Sequence, residues 1–233
     1  MNLRTTVTRS LVATCSALAL AGAFASEGAA PGSASRESAA APAASDAAAV
    51  KRLETFAAST PAAEGAFVQT NFDREGQVTL KASGTFAFSR PGRFDWVYLE
   101  PYDQRIVSDG TTLRLYDADL MQVTEKRLEG AIDATPASIL FGNNDFSRDW
   151  TVRELPAEGG EARIEARPKT SGAFERVVIG WSAAGLPSRM TLVDAFGQET
   201  ELVFTEINRT TPDAKRFELV VPEGTDVLTD SAF

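Results

Sequence analysis

GTFAFSRPGRFDWVYLEPYDQRIVSDGTTLRLYDADLMQV, residues 84–123, decides the fold. It contains three strand-like runs separated by turn chemistry. Phe86 and Phe88 alternate with small residues, and Phe94, Trp96 and Tyr98 alternate with Asp95 and Val97. Successive side chains of a strand point to opposite faces, so each aromatic set shares one face. Pro91-Gly92 lies between the sets as a turn, the proline pre-setting φ and the glycine free to take positive φ. Antiparallel pairing across that turn stacks all the aromatics on one side. Arg90 has the parity of Phe86 and Phe88, which sets its side chain at the rim of the apolar face. A guanidinium held there by pleat geometry is the first functional hint.

C-terminal to this stretch's aromatic half, Pro101 breaks the run. Arg105–Ser108, the turn Asp109-Gly110, and Thr112–Tyr116 make a hairpin. A single turn at Asp117–Leu120 leads to a strand at Met121–Leu128. Thr135–Gly142 carries helix punctuation, with Thr135 at the N-cap, Pro136 at the first helical position and Gly142 just past the end. This piece is too short to be stable alone, so Ile139, Leu140 and Phe141 must pin it to a surface. Short strands then follow at Trp150–Leu155, Glu161–Arg167, Phe174–Trp181, Leu186–Asp194, Glu199–Asn208 and Arg216–Val221.

Toward the N-terminus, strands are expected at Phe67–Phe72, Val78–Ser89 and Arg93–Leu99, with a turn at Asp73–Gly76. A helix capped by Asp46 runs to about Ser59, with Val50, Leu53, Phe56 and Ala57 as its apolar stripe. Thr60-Pro61 ends it. About eleven strands and two or three short helices indicate a mainly β chain with a single antiparallel sheet, barrel-like or strongly curved. The folded domain is expected over residues 46–233.

The remaining residues carry no fold. Met1–Ala25 has Arg4 and Arg9, an apolar run from Leu11 to Ala23, and Ala23-Phe24-Ala25 before Ser26, which is the pattern of a cleaved secretory signal. The apolar run is too short to span a membrane. Residues 26–45, an Ala/Ser/Pro leader without a large apolar side chain, cannot bury enough surface to order themselves. The expected product is soluble and periplasmic. Cleavage removes Cys15, the single cysteine, and the chain has no histidine. Disulfides are therefore excluded.

Removing Arg4 and Arg9 leaves 21 basic against 32 acidic residues, a net charge of −11. That balance argues against nucleic acid and against anionic lipid surfaces. Catalysis is equally hard to build. No histidine can activate a serine and no cysteine remains as nucleophile or soft ligand. Asp117, Asp119 and Asn143-Asn144-Asp145 read as turn formers rather than metal ligands. Gly159-Gly160 lacks the lysine of a phosphate loop. No enzyme, no metal site and no cofactor is expected.

An aromatic layer such as Phe86, Phe88, Phe94, Trp96 and Tyr98 is ordinarily core. Yet the covers available to a one-sheet fold here are only the first helix and the short segment at Thr135–Gly142. Two small helices leave room for a cavity suited to a long apolar ligand. Arg90, read alone, is an exposed hairpin arginine. At the rim it can also donate to the free carbonyls that end a short helix.

These residues resemble the periplasmic outer-membrane lipoprotein carrier family, LolA. The resemblance rests on Phe67-Val68-Gln69, Arg90-Pro91-Gly92-Arg93-Phe94-Asp95-Trp96, Pro101 and Ile106-Val107-Ser108-Asp109-Gly110. It continues through Leu113–Tyr116, Leu120–Val123, Thr135-Pro136-Ala137 and Phe217–Val227. It implies a half-open antiparallel β-barrel with a helical lid over an apolar cavity. Phe86, Phe88, Phe94, Trp96 and Tyr98 would line an acyl-chain cavity, Pro136, Ile139, Leu140 and Phe141 would belong to the lid, and Arg90 would latch it. The implied partners are triacylated lipoproteins as cargo, an inner-membrane ATP-driven release complex and an outer-membrane acceptor, with the chain acting as a monomer that does not insert stably into membranes. Arg114 departs from the family by standing where an aromatic is common. Three other readings stay open. One is a membrane-anchored acceptor or periplasmic lipid sensor of the same fold. The others are a binding module with a fully packed interior and a lipid esterase, the last disfavoured by the missing histidine.

Overall fold

The computed structural model describes residues 46–128, 146–170 and 174–229. Helix α1, Ala47–Ser59, comes first and buries Ala49, Leu53, Phe56 and Ala57. The buried stripe takes Ala49 in place of Val50, which is half-buried. Asp46 occupies the N-cap position but its side chain makes no cap bond. Its carboxylate instead accepts from the Glu154 N–H (2.9 Å), and its own N–H donates to the Val152 carbonyl (2.8 Å). The helix start is thus tied to a strand far along the chain rather than capped locally.

Eleven strands follow in the expected alternation: β1 Ala62–Phe72, β2 Val78–Ser89, β3 Arg93–Glu100, β4 Gln104–Asp109, β5 Thr112–Asp117, β6 Gln122–Arg127, β7 Trp150–Glu158, β8 Glu161–Pro168, β9 Phe174–Trp181, β10 Pro187–Asp194 and β11 Glu199–Asn208. A twelfth, β12, spans Asp226–Thr229. The sequence misplaced this last strand. Arg216–Val221, read as strand from its alternating apolar residues, begins instead within a 3-10 helix at Ala214–Phe217, started by Asp213, whose side chain accepts from the Lys215 N–H. Local capping overrides the alternation there: Phe217 is buried while Val221, of the same parity, is exposed.

Among the described residues, all twelve strands form one sheet in the order β12-β6-β5-β4-β3-β2-β1-β11-β10-β9-β8-β7. Its edges are β12 and β7, which do not pair, so no hydrogen-bonded closure makes a barrel. Every ladder is antiparallel except β12 with β6, which is parallel. The expectation of about eleven purely antiparallel strands is corrected on both points. The sheet consists of two meanders, β1–β6 and β7–β11, joined in the middle by β1 against β11.

Register gives the sheet an inner and an outer face. Gly65, Phe86, Trp96 and Ile106 lie across from one another on β1 to β4. On the other meander Leu202, Met190, Ile179 and Ile164 form the matching row. Helix α1 lies on this inner face. Phe56 meets Trp181 edge-on with centroids 5.4 Å apart, and Arg52 pairs with Glu154 at 3.2 Å. Each large side chain fully buried there contributes about 1.5–3 kcal/mol.

Two glycines let the backbones close in. A Cβ on Gly84 would stand 2.9 Å from the Phe67 ring and collide with the Val97 carbonyl oxygen. One on Gly65 would stand 2.9 Å from the Phe86 ring and collide with the Glu206 carbonyl oxygen. In register these are cross-strand partners, Phe67 over Gly84 and Phe86 over Gly65. The rings fill the space the glycines leave, which lets neighbouring strands approach at the irregularities beside Gly84 and Phe67.

Candidate functional site

The aromatic layer is built by the β2–β3 hairpin. Phe86 pairs with Trp96 and Phe88 with Phe94, while Tyr98 stands opposite Gly84. Phe86, Phe88, Phe94, Trp96 and Tyr98 all lie on the inner face and are all buried. Phe67, which sequence reasoning placed only in a strand, is their closest companion. Its ring stacks on Trp96 at 4.1 Å and meets Tyr98 edge-on at 5.4 Å. Phe204 from β11 closes the layer against Phe86 at 5.6 Å. The signal for Phe67 was its place opposite Gly84, readable only once the β1–β2 register is known. Phe204 depends on the long-range β1–β11 pairing, for which the local sequence holds no cue.

Arg90 stands between this layer and α1. Its Nε donates to the carbonyl of Thr60 at 3.3 Å, and Thr60 is the residue that ends α1. Its backbone N–H donates to the Pro61 carbonyl at 2.8 Å. The guanidinium lies over Phe56 at 5.2 Å and over Phe88 at 5.3 Å, one ring from the helix and one from the sheet. Burial lowers its pKa to about 10, so it carries its charge at neutral pH without full hydration. Thr60 is itself fully buried, and its hydroxyl accepts from Arg209 Nε at 3.1 Å. The end of α1 is therefore held by two arginines, from β2's end and from just beyond β11. A cation at a helix C-terminus also meets the negative end of the helix dipole.

Pro136, Ile139, Leu140 and Phe141 lie outside the described residues, as does the whole expected helix at Thr135–Gly142. Among the described residues, the expected cover that lies against the inner face is α1.

At the Tyr98 end of the layer the inner face turns polar. Tyr98 Oη donates to Gln69 Oε1 at 2.9 Å, and Gln69 Nε2 donates to Asn71 Oδ1 at 2.9 Å. Gln104, across from Tyr98 in register, is also buried. None of these amides was a candidate site residue in the sequence, and Gln69 entered only through the Phe67-Val68-Gln69 motif. Period two puts Gln69 and Asn71 on the same face as Phe67, and that was the available signal.

On the outer face a second buried group stands out. Asp95 accepts from Arg105 Nε at 2.6 Å and from Arg216 Nε at 3.1 Å. Arg216 also reaches Glu64 at 2.8 Å, and Arg105 Nη2 donates to the Arg216 carbonyl at 2.8 Å. Phe217 is buried beside it, with the Arg93 guanidinium 5.7 Å from its ring. This network ties the C-terminal segment across β3 and β4. Arg114, the family departure, pairs with Glu125 at 2.7 Å and Asp109 at 2.9 Å.

Among the described residues no group of three or more metal-ligating side chains converges, and no helix is long and apolar enough to cross a membrane. What the arrangement offers chemically is burial: a wide aromatic face, a helix covering part of it, and a charged group joining the two.

Comparison with known proteins fits this geometry. The family described as outer membrane lipoprotein carrier protein LolA matches residues 58–220. The outer-membrane lipoprotein carrier protein of Cupriavidus necator is 44% identical over 187 residues, which cover 78% of this chain and 88% of the relative. That of Nitrosomonas europaea is 43% identical over 188 residues, covering 79% and 90%. Among solved structures, an uncharacterized conserved protein from Thermus thermophilus shares the fold with a TM-score of 0.52 at 14% identity, covering 78% of this chain and 97% of its own. By the extent of the match and the identity of these relatives, the chain belongs to the LolA family of outer membrane lipoprotein carrier proteins.

Proposed function

We propose that this chain is a soluble periplasmic chaperone that binds the acyl chains of lipoproteins and carries them to the outer membrane. Its cargo is triacylated lipoprotein, received from an inner-membrane ATP-driven release complex and handed to an outer-membrane acceptor. The observation that carries this reading is the position of Arg90, bonded to the end of α1 and sandwiched between Phe56 of the helix and Phe88 of the aromatic layer. The names of the relatives, lipoprotein carriers throughout, support it.

Binding needs no catalytic group, because each buried CH₂ of an acyl chain is worth roughly 0.8 kcal/mol. In this reading Phe86, Phe88, Phe94, Trp96 and Tyr98 meet the acyl chains, joined by Phe67. The segment bearing Pro136, Ile139, Leu140 and Phe141 is the second part of the lid. Release is the harder step. Arg90 returning to the Thr60 carbonyl offsets part of the burial lost when cargo departs, since a hydrogen bond from a charged donor contributes about 1.5–3 kcal/mol. That makes hand-over to a more apolar acceptor downhill.

Arg90→Leu removes the bond and keeps the apolar contacts. It is expected to accept cargo as the wild type does and to deliver it poorly. A purified carrier-to-acceptor transfer assay reads this directly, and unimpaired delivery by the variant would refute the latch role.

A further inference from the structure

We infer that the buried amide of Gln104 is a polar subsite that recognises the N–H of an amide-linked acyl chain. The inference rests on the carrier reading and goes beyond it, because apolar burial alone needs no such group.

Gln104 is 7% exposed, and on β4 it stands opposite Tyr98, hence on the inner face beside the aromatic layer. Its Oε1 is buried and has no hydrogen-bond partner among the described residues. Its register partners on β3 and β5 do not serve it. The Tyr98 hydroxyl donates to Gln69, and the Gln69 amide donates onward to Asn71, so the chain of donors runs away from Gln104. Asp117, its register partner on β5, has only acceptor oxygens, one of which takes the Leu120 N–H.

A buried acceptor left without a donor is destabilising, and native proteins satisfy nearly all such groups. One that stays open on a ligand-facing surface is completed by the ligand. An acyl ester offers only acceptors. An acyl amide offers one N–H at the junction between chain and head group, which is the complement Gln104 lacks. Sites built to bond a polar group reject an isostere without it far more strongly than apolar pockets reject a missing methylene.

The test uses the full chain and a matched pair of ligands, N-dodecanoylglycine methyl ester and its analogue with an ester oxygen in place of the N–H. Each competes with a polarity-sensitive apolar dye bound to the protein. The amide is expected to displace the dye at about tenfold lower concentration than the ester, the size of one net hydrogen bond. Gln104→Met should abolish the difference while leaving the ester's potency unchanged, and Gln104→Glu, which keeps an acceptor oxygen, should retain it. Equal potency of the two ligands on the wild type overturns the inference even if Gln104→Met fails to fold, and so does a preference that survives in Gln104→Met. Failure of both ligands to displace the dye would instead bring down the carrier reading and this subsite with it.

Discussion

Gly84 shows how a single missing methyl group shapes the surface around it. The Phe67 ring occupies the space above it, and the Val97 carbonyl closes on the same point from β3. Gly84→Ala forces backbone or ring to move, an overpacking cost of about 1–3 kcal/mol. The expected outcome is a lowered urea midpoint with an unchanged m-value, and near-UV circular dichroism altered through the Phe67–Trp96 stack. An unshifted midpoint would mean that strands β2 and β3 do not depend on this close approach. Much at this scale was legible beforehand. The alternation of Phe86, Phe88, Phe94, Trp96 and Tyr98 followed from period two alone, because a pleat leaves a side chain only two directions. Phe67 and the Gln69–Asn71 pair were legible in parity but not in company, since their neighbours depend on register across the ladder.

Among the elements, the C-terminal segment is the one whose sequence misled. Asp213 and the turn it starts outweigh the alternation of Phe217, Leu219 and Val221, and the segment lies on the sheet rather than in it. What fixes it are Phe217 and the ion network from Arg216 to Asp95 and Glu64, contacts between residues far apart in sequence. Composition and spacing hold no record of such pairs. Phe217→Ala empties a buried site and should cost about 3–5 kcal/mol. Amide exchange should accelerate in β12 and in β6, which β12 covers, while β8 to β10 keep their protection. Uniform acceleration across the sheet would contradict a local role. Helix α1 behaved differently: its existence, its end at Thr60 and most of its buried stripe could be read from periodicity and from Pro61. Its contact with Arg90 needed only one parity argument, because the rim of a strand is a place that pleat geometry defines.

For the molecule as a whole, acid stability follows from two carboxylates held below their ordinary range. Burial alone would raise Asp109, but hydrogen bonds from Thr112, Thr111 and Arg114 outweigh it. Burial likewise opposes ionisation of Glu165 on the outer face, and the bonds from Arg153 and Arg167 win. With folded values depressed, the unfolded chain takes up protons first on acidification. The stabilisation is therefore complete above the ordinary carboxylate range and is lost as pH falls from that range down through the depressed folded values. Urea unfolding is expected to give a level free energy from about pH 7 to 5 and a decline below about pH 4. Asp109→Asn and Glu165→Gln should each make the decline shallower. Stability that rises on acidification would show instead that relief of the chain's net negative charge dominates.

The seam between β1 and β11 has a consequence in time. During synthesis the first strand emerges long before its partner, because more than half the chain must follow before the Phe204 end of β11 exists. Until then β1 has β2 on one side and a bare row of amides on the other, the kind of ledge onto which stray polypeptides add. Assembly that waits on such a distant match is slow. A nascent molecule of this protein therefore passes through a half-built stage in which its central strand must be shielded.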